Sequence, residues 1–191
     1  QVNQYRDLGA GQTVIAISNA GSVRSEGIEA EGTFYATDNL RLQGGIGLLD
    51  TSFTDFPGGG FGGVNVAGNR LPRASKFQGT IGFDYDRELT NALSAFASAQ
   101  FSYRSSYFVE ENNLSVRTVA GEEISWGKVP GYGLLDARIG VEADSGWELA
   151  LYARNLTDKD YVVSYGREFL GALIEYRGEP MSWGAEARVR F

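Results

Sequence analysis

The chain has 191 residues, of which 42% are hydrophobic and 26 are glycine, with four prolines, one methionine, no cysteine and no histidine. Without cysteine there is no disulfide framework or thiolate metal site, and without histidine the commonest general base and metal ligand is missing. The net charge of −7 disfavours a nucleic-acid partner, because phosphate binding needs clustered Lys and Arg and the cations here are scattered among carboxylates.

No apolar run reaches the length of about 18 residues that a transmembrane helix needs. This does not exclude a membrane, because the strands of a membrane barrel alternate and score weakly in any hydropathy window. The chain begins at Gln1, with neither a start methionine nor a signal peptide. We therefore expect it to begin inside a longer protein.

Strict alternation of apolar and polar residues, the pattern of a strand with two different faces, recurs along the chain. The last segment, SWGAEARVRF, alternates without an exception. In the segment 93–104, Phe96 is an aromatic residue at one of the alternate positions that are otherwise largely polar. No segment has a competing helical period. The pattern predicts about eight strands, over 13–18, 28–35, 40–46, 77–86, 93–104, 135–142, 147–154 and 182–191.

The connections between these strands alternate in length. The short ones are 38–39, 87–91 and 144–146, and the long ones are 54–73, 105–130 and 156–180. All the short connections would lie at one end of an antiparallel sheet. Outer-membrane barrels have this asymmetry, whereas a soluble β-sandwich has no reason to sort its loops in this way.

In each predicted strand, every second residue belongs to a polar set, which we call the polar parity. This set carries most of the charged side chains of the strands. In a membrane barrel it must face the lumen, because each Arg facing lipid at the bilayer midplane costs about 2–4 kcal/mol. We expect these charges to form a wall network that holds neighbouring strands together, and some of them to line a ligand path. The predicted lumen network is Glu29, Arg104, Asp136, Arg138, Arg154, Glu186 and Arg188.

Several stretches resemble the C-terminal part of the barrel of TonB-dependent outer-membrane receptors. They are NAGSVRSEGIEAE (19–31), GNRLPRASKFQ (68–78), YGLLDARIGV (132–141), LYARNLTDKDY (151–161) and GEPMSWGAEARVRF (178–191). The resemblance implies an all-β, antiparallel transmembrane barrel of about 22 strands. Residues 1–191 would supply about its last eight strands, and the N-terminal plug and TonB box would lie outside this chain. An open sheet of eight strands would have one edge at 13–18.

The resemblance also implies a function. Such receptors sit in the outer membrane of Gram-negative bacteria and import a scarce ligand, for which a ferric siderophore is the expected case. Their partners are outer-membrane lipid, TonB with its inner-membrane motor, and the barrel-assembly machinery, whose end signal would be Phe191. They do no covalent chemistry and need no cofactor.

The segment NLTD, residues 155–158, has two interpretations. In the family it closes the penultimate strand at the last extracellular loop, and Asn155, Thr157 and Asp158 are side chains that satisfy backbone groups at turns. The alternative, a glycosylation acceptor at Asn155 or at Asn113, rests only on the three-residue sequon and is disfavoured.

Two further motifs are assigned structural roles. The glycine-rich stretch at 56–63 lacks the Gly-Lys-Ser/Thr of a phosphate loop. The acidic pairs 110–111 and 122–123 are expected to be solvated charges in a polar loop, so no metal site and no catalytic residue is predicted. Aromatic rings exposed on the long loops are the expected ligand contacts. These are Phe56, Phe61, Tyr107, Phe108, Trp126, Tyr165, Phe169 and Tyr176.

Two rival hypotheses remain open from the sequence. One is a complete eight-stranded outer-membrane barrel with a structural or adhesion role, the smallest common closed form. The other is a soluble β-sandwich that binds carbohydrate. Solubility without detergent would favour the sandwich, and a native size near 20.7 kDa would favour the small barrel.

Overall fold

A computed structural model describes the backbone of residues 2–9, 12–18, 21–60, 63–167 and 172–190, and the side chains of 21–60, 63–166 and 172–190. The structure is all β. Its strands are β1 Val2–Gly9, β2 Gln12–Ser18, β3 Ser22–Thr37, β4 Leu40–Asp55, β5 Phe77–Thr90, β6 Leu93–Arg104, β7 Tyr107–Phe108, β8 Val116–Val119, β9 Glu122–Ser125, β10 Lys128–Val129, β11 Tyr132–Ala143, β12 Trp147–Arg154, β13 Val162–Arg167, β14 Leu173–Arg177 and β15 Ser182–Val189.

One seven-stranded antiparallel sheet dominates the fold, in the order β15-β12-β11-β6-β5-β4-β3. These seven strands were predicted, and most are longer than the alternation indicated. The strand predicted over 13–18 is also present as β2, but it pairs with β1 in a separate hairpin. The expectation of an eight-stranded sheet with its edge at 13–18 is therefore wrong, and within the described residues the edges are β3 and β15.

Four small two-stranded ladders complete the structure: β1 with β2, β7 with β10, β8 with β9, and β13 with β14. The last three lie inside the long loops. The sequence did not predict them, because strands of two to six residues are too short for a period of two to stand out.

The two faces of the sheet have the opposite burial from that of a water-soluble protein. On β12, the alternating residues Glu148 and Ala150 are only 7% and 5% exposed, whereas Leu149 and Leu151 are 50% and 58% exposed. We call the first set the polar face and the second the apolar face. A soluble sandwich buries its apolar parity between two sheets, so this sheet does not fit the sandwich hypothesis.

The polar face is the concave one. It lines an open concavity with side chains from six strands, including Gln43, Asp84, Ser98, Gln100, Asp136, Arg138, Tyr152, Arg154 and Glu186. The two edge strands, β3 and β15, are joined by no ladder in the described part of the chain, so this part forms a wall and not the closed eight-stranded barrel of the other hypothesis. Among the described residues, we find no helix that is long and apolar enough to cross a membrane.

The short connections lie together at one end of the sheet. Turns at 38–39 and 144–146 were predicted. The third was predicted over 87–91 but is the two-residue turn Asn91-Ala92, because β5 keeps its ladder with β6 as far as Thr90. Neighbouring turns are joined: the Asn39 amide donates to the Asp86 carbonyl at 2.7 Å, and the Asp144 N–H donates to the Ala92 carbonyl at 3.1 Å.

Three long loops, 56–76, 105–131 and 155–181, lie at the opposite end, as predicted. The first folds over the polar face of β4. There Phe53 belongs to the polar parity yet is buried, because Phe56 and Val66 from the loop pack on it. The Phe53 and Phe56 rings are 5.3 Å apart. This loop therefore narrows the concave side of the sheet at the loop end.

Candidate ligand-binding site

A network of charges joins three adjacent strands on the polar face. The Arg138 guanidinium on β11 donates to the carboxylates of Glu148 on β12 and Glu186 on β15, the latter at 3.2 Å. Arg188 on β15 lies 2.8 Å from Glu186 and 3.5 Å from Glu148. Three residues of the predicted lumen network, Arg138, Glu186 and Arg188, thus lie together, and Glu148 contacts both arginines.

Phe96, which breaks the alternation of β6, lies beside this network. Its ring lies on the polar face, with the Arg138 guanidinium carbon 4.8 Å from the ring centroid. The same ring covers Gly140 on the neighbouring strand, where an added Cβ would be 2.4 Å from Phe96 Cζ. Tyr152 covers Gly184 in the same way. Aromatic rings over glycines therefore fill part of the inner surface of the wall.

The other predicted network members are not part of it. Arg104 donates to Ser75 Oγ and to the Arg73 carbonyl, both at 2.6 Å, and stacks on the Tyr107 ring. Arg154 lies 5.9 Å from the Tyr152 ring.

Asp136 accepts a hydrogen bond from the Asn155 N–H, and Glu29 on β3 forms no ion pair in the described part of the chain. These four residues of the predicted lumen network therefore make other contacts or form no ion pair in the described part of the chain, because strand parity fixes the face of a side chain but not the neighbours that reach it.

The NLTD segment is a structural clamp. Asn155 is 4% exposed and has φ +47°. Its amide donates to the carbonyls of Lys159 at 2.9 Å and Glu179 at 3.1 Å, and its Oδ1 accepts from the Lys159 N–H at 2.9 Å. Asp158 accepts from the Met181 N–H at 3.0 Å. These bonds join the two ends of loop 155–181. Because the Asn155 amide is buried and hydrogen-bonded, it is not accessible for glycosylation.

Asn113, the second glycosylation candidate, holds two loops together. Its Oδ1 accepts from the Arg70 N–H at 2.8 Å and its amide donates to the Arg70 carbonyl at 2.9 Å. Loop 56–76 meets loop 105–131 at two further points: Asn69 donates to the Glu111 carbonyl at 2.8 Å, and the Arg73 N–H donates to the Phe108 carbonyl at 2.7 Å. In the sequence, only the turn propensity of asparagine pointed toward this role.

Three of the predicted ligand-contacting rings are buried. Phe56 is 2% exposed, and Tyr107 and Trp126 are each 3% exposed. The expectation that these rings stand free on solvated loops is wrong, because the loops pack on the sheet and on each other. Tyr107 donates to the Val163 carbonyl at 2.7 Å, and the Trp126 and Tyr165 rings are in tilted contact with their centroids 6.0 Å apart. These contacts join loop 105–131 to loop 155–181.

The remaining loop aromatics are accessible to different degrees. Tyr176 is exposed, and Phe108 and Tyr165 are half-buried. Lys128 Nζ lies 5.7 Å from the Phe108 centroid. Phe61 and Phe169 lie outside the described residues, as does Phe191. Ligand contact by any of these rings stays a prediction.

Burial also changes the chemistry of the loops. It raises the pKa of the Tyr107 hydroxyl, and it raises the pKa of the Glu111 carboxyl, to which the neighbouring charge of Glu110 adds. A second feature that the sequence did not reveal is the Arg117 guanidinium, which pairs with Glu110 at 2.6 Å and lies 4.4 Å from the Trp126 centroid. Across the described ranges, no three acidic side chains lie close enough together to hold a metal ion.

Comparison with known proteins agrees with this geometry. A family model described as TonB dependent receptor-like, beta-barrel, matches residues 1–156. The ferric-pyoverdine M114 receptor PbuA of Pseudomonas sp. (strain M114) is 26% identical over 173 residues, which are 91% of this chain and 19% of that protein.

Solved structures share the fold. The ferric yersiniabactin uptake receptor FyuA from Yersinia pestis superposes with a TM-score of 0.73 at 16% identity, over 93% of this chain and 25% of that one. BauA, the ferric preacinetobactin receptor from Acinetobacter baumannii, superposes with a TM-score of 0.61 at 21% identity, over 91% of this chain and 23% of that one.

The chain thus spans about a fifth of the length of its curated relative and about a quarter of these solved structures. The family model covers most of the chain, and the open antiparallel wall with its long loops at one end is a piece of the same kind of barrel. The chain belongs to the TonB-dependent receptor-like β-barrel family.

Proposed function

We propose that this chain is the C-terminal part of the barrel of an outer-membrane receptor of a Gram-negative bacterium. The observation that carries the proposal is the inverted burial of the sheet: Leu149 and Leu151 of β12 are exposed, while Glu148 and Ala150, which alternate with them, are buried. Exposed apolar residues on a convex face are stable in lipid, whereas charges on the concave face need a polar lumen. Outer-membrane lipid is therefore the proposed partner of the apolar face.

The proposed ligand is a ferric siderophore. The relatives support this, because PbuA is a receptor for ferric pyoverdine and FyuA takes up ferric yersiniabactin. In this proposal the three packed loops form the mouth, and the polar concavity below them forms the ligand path. Nothing in this proposal requires covalent chemistry, so the protein would act as a transporter and not as an enzyme.

The source of energy would be TonB with its inner-membrane motor. In this proposal residues 1–191 supply wall and loops, and a plug domain that TonB engages belongs to the part of the receptor outside this chain. The barrel-assembly machinery would insert the barrel after reading the C-terminal Phe191.

Iron uptake tests the transport function. The gene that encodes this chain is deleted in the source bacterium, and uptake of radioactive iron is measured with a panel of purified ferric siderophores, with and without a functional tonB gene. We expect one or more siderophores to lose uptake in both mutants. Unchanged uptake of every siderophore in the receptor deletion would overturn the transport function.

Membrane fractionation tests the location and the assembly signal. We expect the protein in the outer-membrane fraction, as a band several-fold heavier than 20.7 kDa. Deleting Phe191 is expected to lower the outer-membrane level while synthesis continues. Equal outer-membrane levels with and without Phe191 would contradict the role of this residue, and a soluble native protein would contradict the membrane location.

A further inference from the structure

Most of the packed apolar core in the described part of the chain belongs to the long loops. We call 56–76, 105–131 and 155–181 the first, second and third loop. Of the eight buried apolar residues, Ala143 and Ala150 lie in the wall, and six lie in the loops or on the end of β4 that the first loop covers. These six are Phe53, Phe56, Val66, Tyr107, Trp126 and Val129. Segments with buried apolar contacts open less often than loops that have few, so the long loops have the packing of a folded unit.

The first loop continues the sheet beyond the wall. β4 is longer than its ladder with β5, which ends at Leu48. Past this point the first loop takes the place of β5: the Phe53 N–H donates to the Asn69 carbonyl at 2.9 Å, and the Gly68 N–H donates to the Phe53 carbonyl at 2.7 Å. These backbone bonds hold the first loop on the sheet in addition to its packed side chains.

Backbone groups also join the first loop to the second. The Arg73 N–H donates to the Phe108 carbonyl at 2.7 Å. Asn113 Oδ1 accepts from the Arg70 N–H at 2.8 Å, and the Asn113 amide donates to the Arg70 carbonyl at 2.9 Å. A movement of one loop alone would break these bonds and leave polar groups of a packed region unpaired, which is unfavourable.

Arg104 ties both of these loops to the wall. It projects from the end of β6, where its Nε donates to Ser75 Oγ and its Nη2 donates to the Arg73 carbonyl, both at 2.6 Å. Its guanidinium carbon lies 4.2 Å from the centroid of the Tyr107 ring. Ser75 belongs to the first loop and Tyr107 to the second, and both are buried. One side chain of the wall therefore contacts two loops at once.

The second loop and the wall together hold the third loop. The Tyr107 hydroxyl donates to the Val163 carbonyl at 2.7 Å. Tyr132, the first residue of β11, packs against Tyr161 of the third loop with ring centroids 4.5 Å apart. The Asn155 clamp closes the base of this loop. Each loop is thus joined both to its neighbour and to the wall.

We propose that the three loops form one rigid collar, which opens only as a unit and gives the mouth its shape before any ligand arrives. This inference goes beyond the proposed function and rests on it only in treating the loops as the mouth. A preformed collar recognises a ligand by fixed shape, because no binding free energy is lost to the ordering of loops. Independent loops would instead be rearranged by each ligand that binds.

The test is hydrogen exchange, measured by mass spectrometry in the intact protein that contains this chain, purified in detergent without ligand. Two variants each break one joint of the collar. Tyr107→Phe removes the bond between the second and third loops. Asn113→Gly removes the bonds between the first and second loops, and glycine accepts the φ of +51° that Asn113 adopts. The controls are Tyr176→Phe, at an exposed ring, and Asn65→Gly, because Asn65 Oδ1 accepts from the Ala67 N–H inside the first loop.

In the wild type we expect peptides from all three loops to exchange at least about a hundredfold more slowly than an unfolded chain. Tyr107→Phe and Asn113→Gly should each accelerate exchange in all three loops by about threefold to tenfold, because a hydrogen bond inside a cooperative unit stabilises the whole unit. Each control should leave the two loops that do not contain it unchanged.

Two results would overturn the collar. One is a wild-type protein whose loops exchange as fast as an unfolded chain, and the other is an acceleration confined to the two loops whose joint was removed. Neither measurement depends on a ligand or on transport. The collar can therefore be rejected while iron uptake supports the proposed function. Unchanged iron uptake in the gene deletion would reject the proposed function, while hydrogen exchange would still decide the collar.

Discussion

The backbone N–H of Asn155 donates a hydrogen bond of 2.9 Å to the Asp136 carboxylate. Asp136 projects from the polar face of β11, and Asn155 is the first residue after β12. The bond therefore joins the wall of the sheet directly to the start of loop 155–181. The same asparagine joins this start to the end of the loop at Glu179. One residue thus fixes where the last long loop leaves the sheet and where it returns.

Replacing Asn155 with alanine should loosen this loop. The change removes three side-chain hydrogen bonds and places alanine at φ +47°, which together should lower the free energy of local unfolding by about 2–4 kcal/mol. Limited proteolysis of loop 155–181 in intact cells measures the effect. Thr157→Ala is the control, because Thr157 lies in the same segment and is exposed. Equal cleavage rates in the two variants would contradict the clamp.

Replacing Gly140 with alanine should impair the barrel wall. The added methyl would lie 2.4 Å from Phe96 Cζ and 2.4 Å from the Leu149 carbonyl oxygen, and a backbone atom cannot move aside cheaply. Gly32→Ala is the matched control, because a Cβ there meets nothing within 4 Å. We expect Gly140→Ala to lower the temperature at which the folded band unfolds in a gel-shift assay. The prediction fails if both variants unfold at the wild-type temperature.

Replacing Arg138 with methionine should destabilise the wall more than the same change at Arg24. Arg138 compensates two carboxylates on the polar face, whereas Arg24 forms an exposed pair with Glu26. Surface pairs contribute little, but removing one partner of a desolvated pair leaves an uncompensated charge.

The double variant Arg138→Met with Glu148→Leu should recover part of the loss, because it removes that charge. The same gel-shift assay measures all three variants. A double variant less stable than Arg138→Met alone would argue against this account.

Acidification should stabilise the contact between loops 56–76 and 105–131. Burial raises the pKa of Glu111, so the folded loop binds a proton more tightly than the unfolded loop does. The charged carboxylate therefore lowers the stability of the folded loop. This loss of stability is fully present above the raised pKa, and it disappears as the pH falls through that value toward the ordinary pKa of about 4.3.

Hydrogen exchange of this loop pair, corrected for the intrinsic pH dependence of exchange, should therefore show greater protection at the acid end of this window. Glu111→Gln should be as protected at neutral pH as the wild type is in acid. If the corrected protection of the wild type rises with pH, the predicted sign is wrong.

The sequence predicted the wall well, because a strand exposed to different media on its two sides must alternate. Trp147 to Arg154 and Ser182 to Val189 show the pattern with few errors, and both are strands of the sheet. The sequence also predicted which end carries the long loops, since that requires only the spacing between strands. The role of Asn155 followed from turn chemistry, although its partners did not.

The loops were predicted least well. The rings of Phe56, Tyr107 and Trp126 suggested exposure, because a polar, glycine-rich context is typical of solvated loops, yet each ring is buried where the loops pack on the sheet and on each other. The pairing of Asn113 with Arg70 joins positions 43 residues apart, and no local pattern encodes such a contact.

The sequence by itself determined the strand faces, the membrane-barrel character and the family resemblance, because these depend on a period of two and on short motifs that are read locally. Only the tertiary structure decided which charges meet and which rings are covered. The physical reason is that a side chain's face is set by its own strand, whereas its partners are set by the register of neighbouring strands and by loops that fold back over them.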